Sequence, residues 1–325
     1  MFLQDAHMRK FSYLRLSITD VCNFKCSYCL PNGYKSTSKV TPLSLIEIKH
    51  LVDAFADMGF SKIRITGGEP TIRRDIVDIV RIIKENKKIK TVGLTTNAYR
   101  LKSLLSPLRQ AGLDALNVSL DTLDKKTFQN ICGVDLLDQV KESIELALQS
   151  GFLKVKINAV LLKDLNDTGV PQFLEWIKNK NISVRFIELM RTGTNKEYFQ
   201  KYHISSDVLR SYFVDQGWKI KTREITDGPA VVFSHPSYQG KVGLIAPYSK
   251  DFCTTCNRLR VSALGNLRLC LFGEGDYSLR SLLQRPDQKQ KLIQSVCKAI
   301  GLKPGSHFLH EQNYGNQQTF SSIGG

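Results

Sequence analysis

The sequence predicts an α/β fold: a partial (β/α)6 barrel of the TIM type, with a smaller C-terminal region after it. Three observations predict it. Six apolar, β-branched runs recur along the first 200 residues, at 13–19, 62–66, 91–96, 115–120, 154–161 and 183–189. Segments of helical period lie between them, at 44–58, 75–85, 101–111, 136–150 and 170–180. The strand ends carry residues able to do chemistry, namely Thr66-Gly67-Gly68-Glu69, Thr95-Thr96-Asn97, Ser119, Asn158 and Glu188, as in a barrel that gathers its site at the C-terminal ends of its strands.

Each element has a local reason. The helical stretches run into Gly59, Gly112 and Gly151, the residue type that leaves a helix in a left-handed turn. Strand–helix alternation requires a parallel sheet with right-handed crossovers, and six units fall short of a closed eight. After about residue 200 the rhythm fails. A helical stretch at 206–216 precedes short runs punctuated by Gly and Pro as far as Leu271, and an amphipathic stretch at 278–300 follows. The expected division is therefore 1–200 for the barrel and 201–325 for the second unit, since 325 residues exceed the roughly 250–300 that one core supports.

Hydrophobic residues at 42% and charged residues at 23% are ordinary for a globular chain and exclude collagen-like or largely disordered classes. No apolar run approaches the ~18 residues of a membrane span. The segment 1–7 lacks the basic and apolar stretches of a secretory signal, so the expected compartment is the cytoplasm, with thiols reduced. Eight cysteines there read as metal ligands or core fillers before disulfides. The net charge of +16 suits an anionic partner: nucleic acid, a membrane surface or a phosphorylated small molecule.

Cys22, Cys26 and Cys29 form C-x3-C-x2-C in the loop after the first strand. Three thiolates can hold three irons of a [4Fe–4S] cube and leave the fourth open to a small molecule. Structural zinc is the alternative, but zinc takes four ligands and no fourth lies nearby in sequence. Cys253, Cys256 and Cys270 form a second set, C-x2-C-x13-C, for which His307 or His310 would complete a zinc site. Beside the first set, a second cluster is the preferred reading. Cys132 and Cys297 stand alone and are expected as buried core fillers.

The segment 22–29 after a first strand resembles the signature of radical S-adenosylmethionine enzymes, and Gly67-Gly68-Glu69-Pro70 agrees. The glycine pair is expected to let backbone approach the methionine moiety closely. In that superfamily the open iron is chelated by S-adenosylmethionine, which one electron cleaves to a 5′-deoxyadenosyl radical. Arg258 and Arg260 alternate, so both lie on one face if extended, and Arg15, Lys62, Arg64, Lys156 and Arg185 sit on or near strands where they can converge on a triphosphate.

As a whole the chain is similar to the GTP 3′,8-cyclase family of molybdenum cofactor biosynthesis. The similarity is carried by 15–31 (RLSITDVCNFKCSYCLP), 62–70 (KIRITGGEP), 94–97 (LTTN), 117–121 (NVSLD), 185–190 (RFIELM), 251–260 (DFCTTCNRLR) and the terminal Ile323-Gly324-Gly325. Val21, Leu30 and Ala98 depart from the family pattern, which has Gly at the last position. The resemblance implies that Tyr28, Gly68, Ser119 and Met190 contact S-adenosylmethionine, and that Arg15, Arg64, Thr95, Lys156, Arg258 and Arg260 contact GTP. It also implies two [4Fe–4S] clusters, and a Gly324-Gly325 tail that enters the barrel near Arg258 and Arg260 to support catalysis. Hydrogen abstraction from C3′ of GTP and attack on C8 would give the 3′,8-cyclised nucleotide. The implied partners are GTP, an electron donor such as flavodoxin or ferredoxin, and the next enzyme, cyclic pyranopterin monophosphate synthase, with the protein a monomer or homodimer and neither membrane nor nucleic acid involved. Two rivals share some features. A radical enzyme acting on peptide or RNA would need a longer groove and usually an added recognition domain, and a zinc-stabilised nucleic-acid-binding module would carry no iron or sulfide.

Overall fold

The computed structural model describes residues 3–35, 41–222, 228–273, 275–311 and 314. Six strands form the centre: β1 (Tyr13–Ser17), β2 (Lys62–Thr66), β3 (Thr91–Thr96), β4 (Ala115–Ser119), β5 (Lys154–Leu161) and β6 (Ser183–Glu188). All six expected strands are present, in sequential order and parallel. Within β1, alternation sends Leu14 and Leu16 outward to full burial under the helices, while Tyr13 and Arg15 line the interior cavity. The outer core joins these leucines to Ile63 and Ile65 of β2 and to Ile48, Leu51 and Phe55 of α1 (Leu45–Asp57). Each such side chain contributes about 1.5–3 kcal/mol by burial.

The crossover helices α1, α2 (Ile76–Glu85), α3 (Leu101–Gln110), α5 (Leu137–Gln149) and α6 (Val170–Ile177) match the periodic segments to within a few residues. Gly59, Gly112 and Gly151 take φ of 94°, 98° and 71°, as the helix ends require. Two helices escaped the periodicity: α4 (Lys125–Cys132) and α7 (Lys196–Tyr202). Both are too short for a repeating apolar stripe. α4 is held by its cap instead, where Asp124 Oδ1 accepts the Thr127 N–H at 2.8 Å.

The region after 200 returns to the same sheet. It contributes α8 (Ser206–Asp215), the strands β7 (Lys219–Ile220), β8 (Val231–Ser234), β9 (Lys241–Ile245), β10 (Arg258–Val261), β11 (Asn266–Arg268) and β12 (Tyr277–Ser278), and α9 (Lys289–Ile300). The sheet runs β12-β11-β10-β1-β2-β3-β4-β5-β6-β9-β8-β7. β10 pairs parallel to β1, and β9 parallel to β6. Eight parallel strands thus stand where the sequence predicts six, and no pair closes them into a ring among the described residues. The stretch 278–300, expected as one amphipathic element, is α-helical only as α9, after two single 3-10 turns at Arg280–Leu282 and Pro286–Gln288. At the α1 N-terminus, Glu47 accepts the Ser44 N–H at 2.8 Å and the Arg280 Nε–H at 2.9 Å, which ties the late region to the first crossover. Among the described residues no helix is long and apolar enough to cross a membrane.

Candidate active site

The first cysteine set lies in the loop after β1. Cys22, Cys26 and Cys29 are half-buried and line one cavity of about 190 Å3. The loop is fastened to the end of β2, where the Gly68 N–H donates to Thr19 O and the Glu69 N–H to Val21 O, both at 2.8 Å. A Cβ on Gly68 would stand 2.2 Å from Val21 O, and one on Gly67 2.3 Å from Thr19 O. The pair is therefore required by the close approach of the cysteine loop, a constraint that the sequence does not show. Glu69 accepts from Thr96 Oγ1 at 2.7 Å and from the Asn97 N–H at 2.6 Å, locking the ends of β2 and β3 together.

Tyr28 donates to Asp121 Oδ2 at 2.9 Å, while Asp121 Oδ1 accepts the Val160 N–H at 2.8 Å. Its hydroxyl is thus committed, and the residue lines the cavity. Gly68, Ser119 and Met190 line the same space, and so does Thr95, which the sequence groups with the triphosphate contacts. Glu188 also borders it, but its carboxylate is taken by His203 Nε2 at 2.9 Å and Ser206 Oγ at 2.8 Å. The walls carry three carboxylates, Glu69, Asp121 and Glu188, and no Lys or Arg. Burial pushes the Cys22 thiol up to about 12 and Asp121 up to about 6. Two buried polar atoms on this cavity, Thr95 Oγ1 and Asn158 Oδ1, have no hydrogen-bond partner among the described residues. Three thiols and two orphaned polar groups around one hole fit an iron–sulfur cluster with a polar small molecule beside it.

The second cavity, about 120 Å3, is built from rows of cations. Strand register aligns Arg260 with Arg15 and Arg15 with Arg64, and one layer below aligns Arg258 with Tyr13 and Tyr13 with Lys62. All six line this cavity, with Lys156 and Arg185. Arg64 Nε donates to Tyr13 Oη and Nη1 to Leu94 O, each at 3.1 Å. Opposite Arg64 in register stands Gly93, where a Cβ would come within 2.7 Å of the guanidinium carbon. Arg185 Nη2 donates to Asn117 Oδ1 at 3.2 Å.

Charge is crowded here. Burial, with Arg185 and Arg64 nearby, pulls Lys156 down to about 6. Burial raises the Tyr13 phenol, but Arg64, Arg15 and Lys62 outweigh it and bring the group down to about 7. Burial also lowers Arg15, to about 10, and lowers Arg260 as well. A buried group of cations with depressed pKa values is a site for a polyanion.

Cys253, Cys256 and Cys270 are half-buried and line this same cavity. Burial raises Cys253. For Cys256 burial acts upward too, but Arg258 and Lys303 overcome it and draw the thiol down to about 7. Arg9, which the sequence does not single out, pins the loop by donating to Cys253 O at 3.2 Å and Gly305 O at 2.8 Å. His307 uses Nδ1 to accept the Leu309 N–H at 3.1 Å, and its main chain bonds the Cys253 sulfur. Among the described residues no three His, Cys, Asp or Glu side chains group as ligands of one metal ion. Three thiols facing a cationic cavity fit a second cluster. Cys297, expected as core, is exposed on α9, and Cys132 is buried beside Cys26. Gly324 and Gly325 lie outside the described residues.

The two cavities meet at Asn158, Ile187 and Met190, which line both. The register rows carry this arrangement, and the sequence holds part of that signal in the i, i+2 spacing of Tyr13 and Arg15, Lys62 and Arg64, and Arg258 and Arg260.

Residues 16–177 match the family model of the radical SAM superfamily, and residues 182–309 match that of Molybdenum Cofactor Synthesis C. The chain is 53% identical to the GTP 3′,8-cyclase of Yersinia pestis over 99% of each chain. It is 51% identical to that of Pectobacterium atrosepticum, again over 99% of each. Among solved structures it resembles Streptococcus suis SuiB bound to S-adenosylmethionine, with a TM-score of 0.62 at 17% identity over 85% of this chain and 65% of that one, a likeness of fold alone. By sequence identity along its whole length, the chain belongs to the GTP 3′,8-cyclase family of radical S-adenosylmethionine enzymes.

Proposed function

We propose that this protein converts GTP to (8S)-3′,8-cyclo-7,8-dihydroguanosine 5′-triphosphate, the first step of molybdenum cofactor biosynthesis. The observation that carries the reading is the pair of adjoining cavities: one without cations that holds three cysteines and a cationic one with three more, in contact at Asn158 and Met190. Cys22, Cys26 and Cys29 would hold one [4Fe–4S] cluster, and Cys253, Cys256 and Cys270 a second. With S-adenosylmethionine bound, the first cluster supplies hydrogen-abstracting radical chemistry. Tyr28, Gly68, Ser119 and Met190 would surround that cofactor, and Thr95 and Asn158 would satisfy its polar groups.

Arg15, Arg64, Lys156, Arg258 and Arg260 would bind the triphosphate and purine by charge-assisted bonds in a space that excludes water. The gathering of eight Lys and Arg side chains around one compact cavity favours a nucleotide triphosphate over a peptide. Residues 1–200 would form the radical-generating unit and 201–325 the unit that completes the substrate site. An external donor such as flavodoxin or ferredoxin would deliver the electron, and the product would pass to cyclic pyranopterin monophosphate synthase in the cytoplasm. The Gly324-Gly325 tail would enter near Arg258 and Arg260. Upstream of it, Tyr314 stacks on Arg191 with 3.8 Å from guanidinium to ring, one residue beyond Met190. Anaerobic incubation with GTP, S-adenosylmethionine and dithionite tests the function. Equimolar 5′-deoxyadenosine and cyclised nucleotide are expected, and 5′-deoxyadenosine with GTP recovered intact would overturn it.

A further inference from the structure

A fourth thiol borders the first cavity. Cys132 ends α4, is 4% exposed, and lines the cavity together with Cys26. The placement is fixed by the main chain. The Lys25 N–H donates to Cys132 O at 3.1 Å and the Ser27 N–H to Ile131 O at 2.8 Å, so that Cys26 is bracketed by two bonds to the last residues of α4. Gly133 then turns the chain away at φ 70°, and a Cβ there would stand 3.1 Å from Lys25 Cβ. The loop and the helix end are therefore in contact along three residues.

We propose that Cys132 is a positioning residue for the cluster: its S–H donates to the Cys26 sulfur once that sulfur holds iron, and this raises the cluster's reduction potential. The proposal rests on the cluster reading above. A thiolate bound to iron can only accept, so the neighbouring thiol becomes the donor. The negative charge on that sulfur grows when the cluster takes an electron, and a donor stabilises the reduced form more than the oxidised one. Tyr28 also approaches Cys26, but its proton is committed to Asp121. With Cys132 buried, water does not replace the bond if it is lost. An S–H is a weak donor, so the effect is a modest upward shift that eases delivery of the electron.

The test is an EPR redox titration of the reconstituted full-length protein. The first cluster is identified by the change of its signal on addition of S-adenosylmethionine. Cys132→Ala should titrate at a more negative potential than wild type, and Cys132→Ser, which keeps a hydroxyl donor, at or above wild type. Equal midpoints for Cys132→Ala and wild type would overturn the proposal. Should Cys132→Ala fail to load iron, geometry can be read from wild-type apoprotein. On treatment with oxidised glutathione, Cys26 and Cys132 should each lose one proton and one electron to form a disulfide, while the oxidant is reduced to two thiols. Peptide mapping that finds Cys26 joined to Cys22 or Cys29, with Cys132 free, overturns it as well. Wild type that binds no iron at its first three cysteines sinks the cluster reading, and the proposal with it.

Discussion

Around Cys22, Cys26 and Cys29 the protein offers burial and no cations, and Cys22 is pushed up to about 12. Around Cys253, Cys256 and Cys270 it offers arginines and lysines, and Cys256 is drawn down to about 7. The two sets have equal numbers of thiols and lie in adjoining cavities, yet Cys22 and Cys256 are shifted in opposite directions, while burial raises Cys253 as it does Cys22. The difference teaches a division of work. A pocket without cations leaves anionic substrates to its neighbour, while the cationic one has charge to spare for a triphosphate.

The sharpest way to break that division is to remove a thiol from one side. Cys26→Ala should abolish 5′-deoxyadenosine formation and leave the iron at Cys253, Cys256 and Cys270 in place, as measured by chromatography and iron content. Loss of both clusters together would mean that the cavities do not load independently. Next in size is removal of Gly324 and Gly325. Product formation should collapse while GTP affinity and iron content hold, and a synthetic peptide of the last eleven residues should restore part of the turnover. Full turnover without the two glycines would make the tail dispensable.

Arg64→Ala should weaken GTP by tenfold to a hundredfold, the ~1.5–3 kcal/mol of one charge-assisted bond, with S-adenosylmethionine affinity unchanged. Gly93→Ala, which pushes the same guanidinium aside, should act in the same direction with a smaller loss. The reverse pattern, S-adenosylmethionine weakened and GTP intact, would move Arg64 to the other cavity.

Lys156 sharpens the comparison through pH. Its value of about 6 in the free protein must rise when a triphosphate favours the ammonium, so binding at pH 7.5 takes up a proton. GTP affinity then falls as pH climbs above 6, by at most about tenfold per unit, until the bound-state value is passed. Calorimetry in two buffers of different ionisation enthalpy measures the uptake. Lys156→Met should lower it by most of one proton per GTP, with any remainder assigned to Tyr13.

The smallest effect belongs to Ala98, which adopts φ 63° where it is fully buried. Ala98→Gly relieves about 1–2 kcal/mol of left-handed strain but loses a buried methyl worth ~0.8 kcal/mol and adds freedom to the unfolded chain. Stability in a denaturant titration should change by less than about 1 kcal/mol.

The six central strands and their helices were legible because each is a local pattern, and the cysteine sets were legible because ligand spacing is written in the chain itself. The cations were half legible. Alternation puts Arg258 and Arg260 on one face, but nothing local says that Arg260 meets Arg15, since that pairing joins residues 245 apart. Arg9 against Gly305 and Cys132 against Cys26 were hidden for the same reason, being contacts made only when distant segments meet. Gly93 reads as a weak point in a strand until the guanidinium of Arg64 occupies the space above it.

The sheet order has a consequence for how the molecule is made. β1 can pair with β2 as soon as residue 66 has been synthesised, but its other neighbour, β10, ends at Val261. At ~5–20 residues per second, roughly 12–50 s separate the release of one edge strand from that of its partner. Throughout that interval a row of main-chain donors and acceptors on β1 stays open to any passing strand. A chain that stops before Arg258 lacks both the cover for this edge and three of the cavity's cations, Arg258, Arg260 and Lys303, so an unfinished product has neither a complete substrate site nor a closed edge.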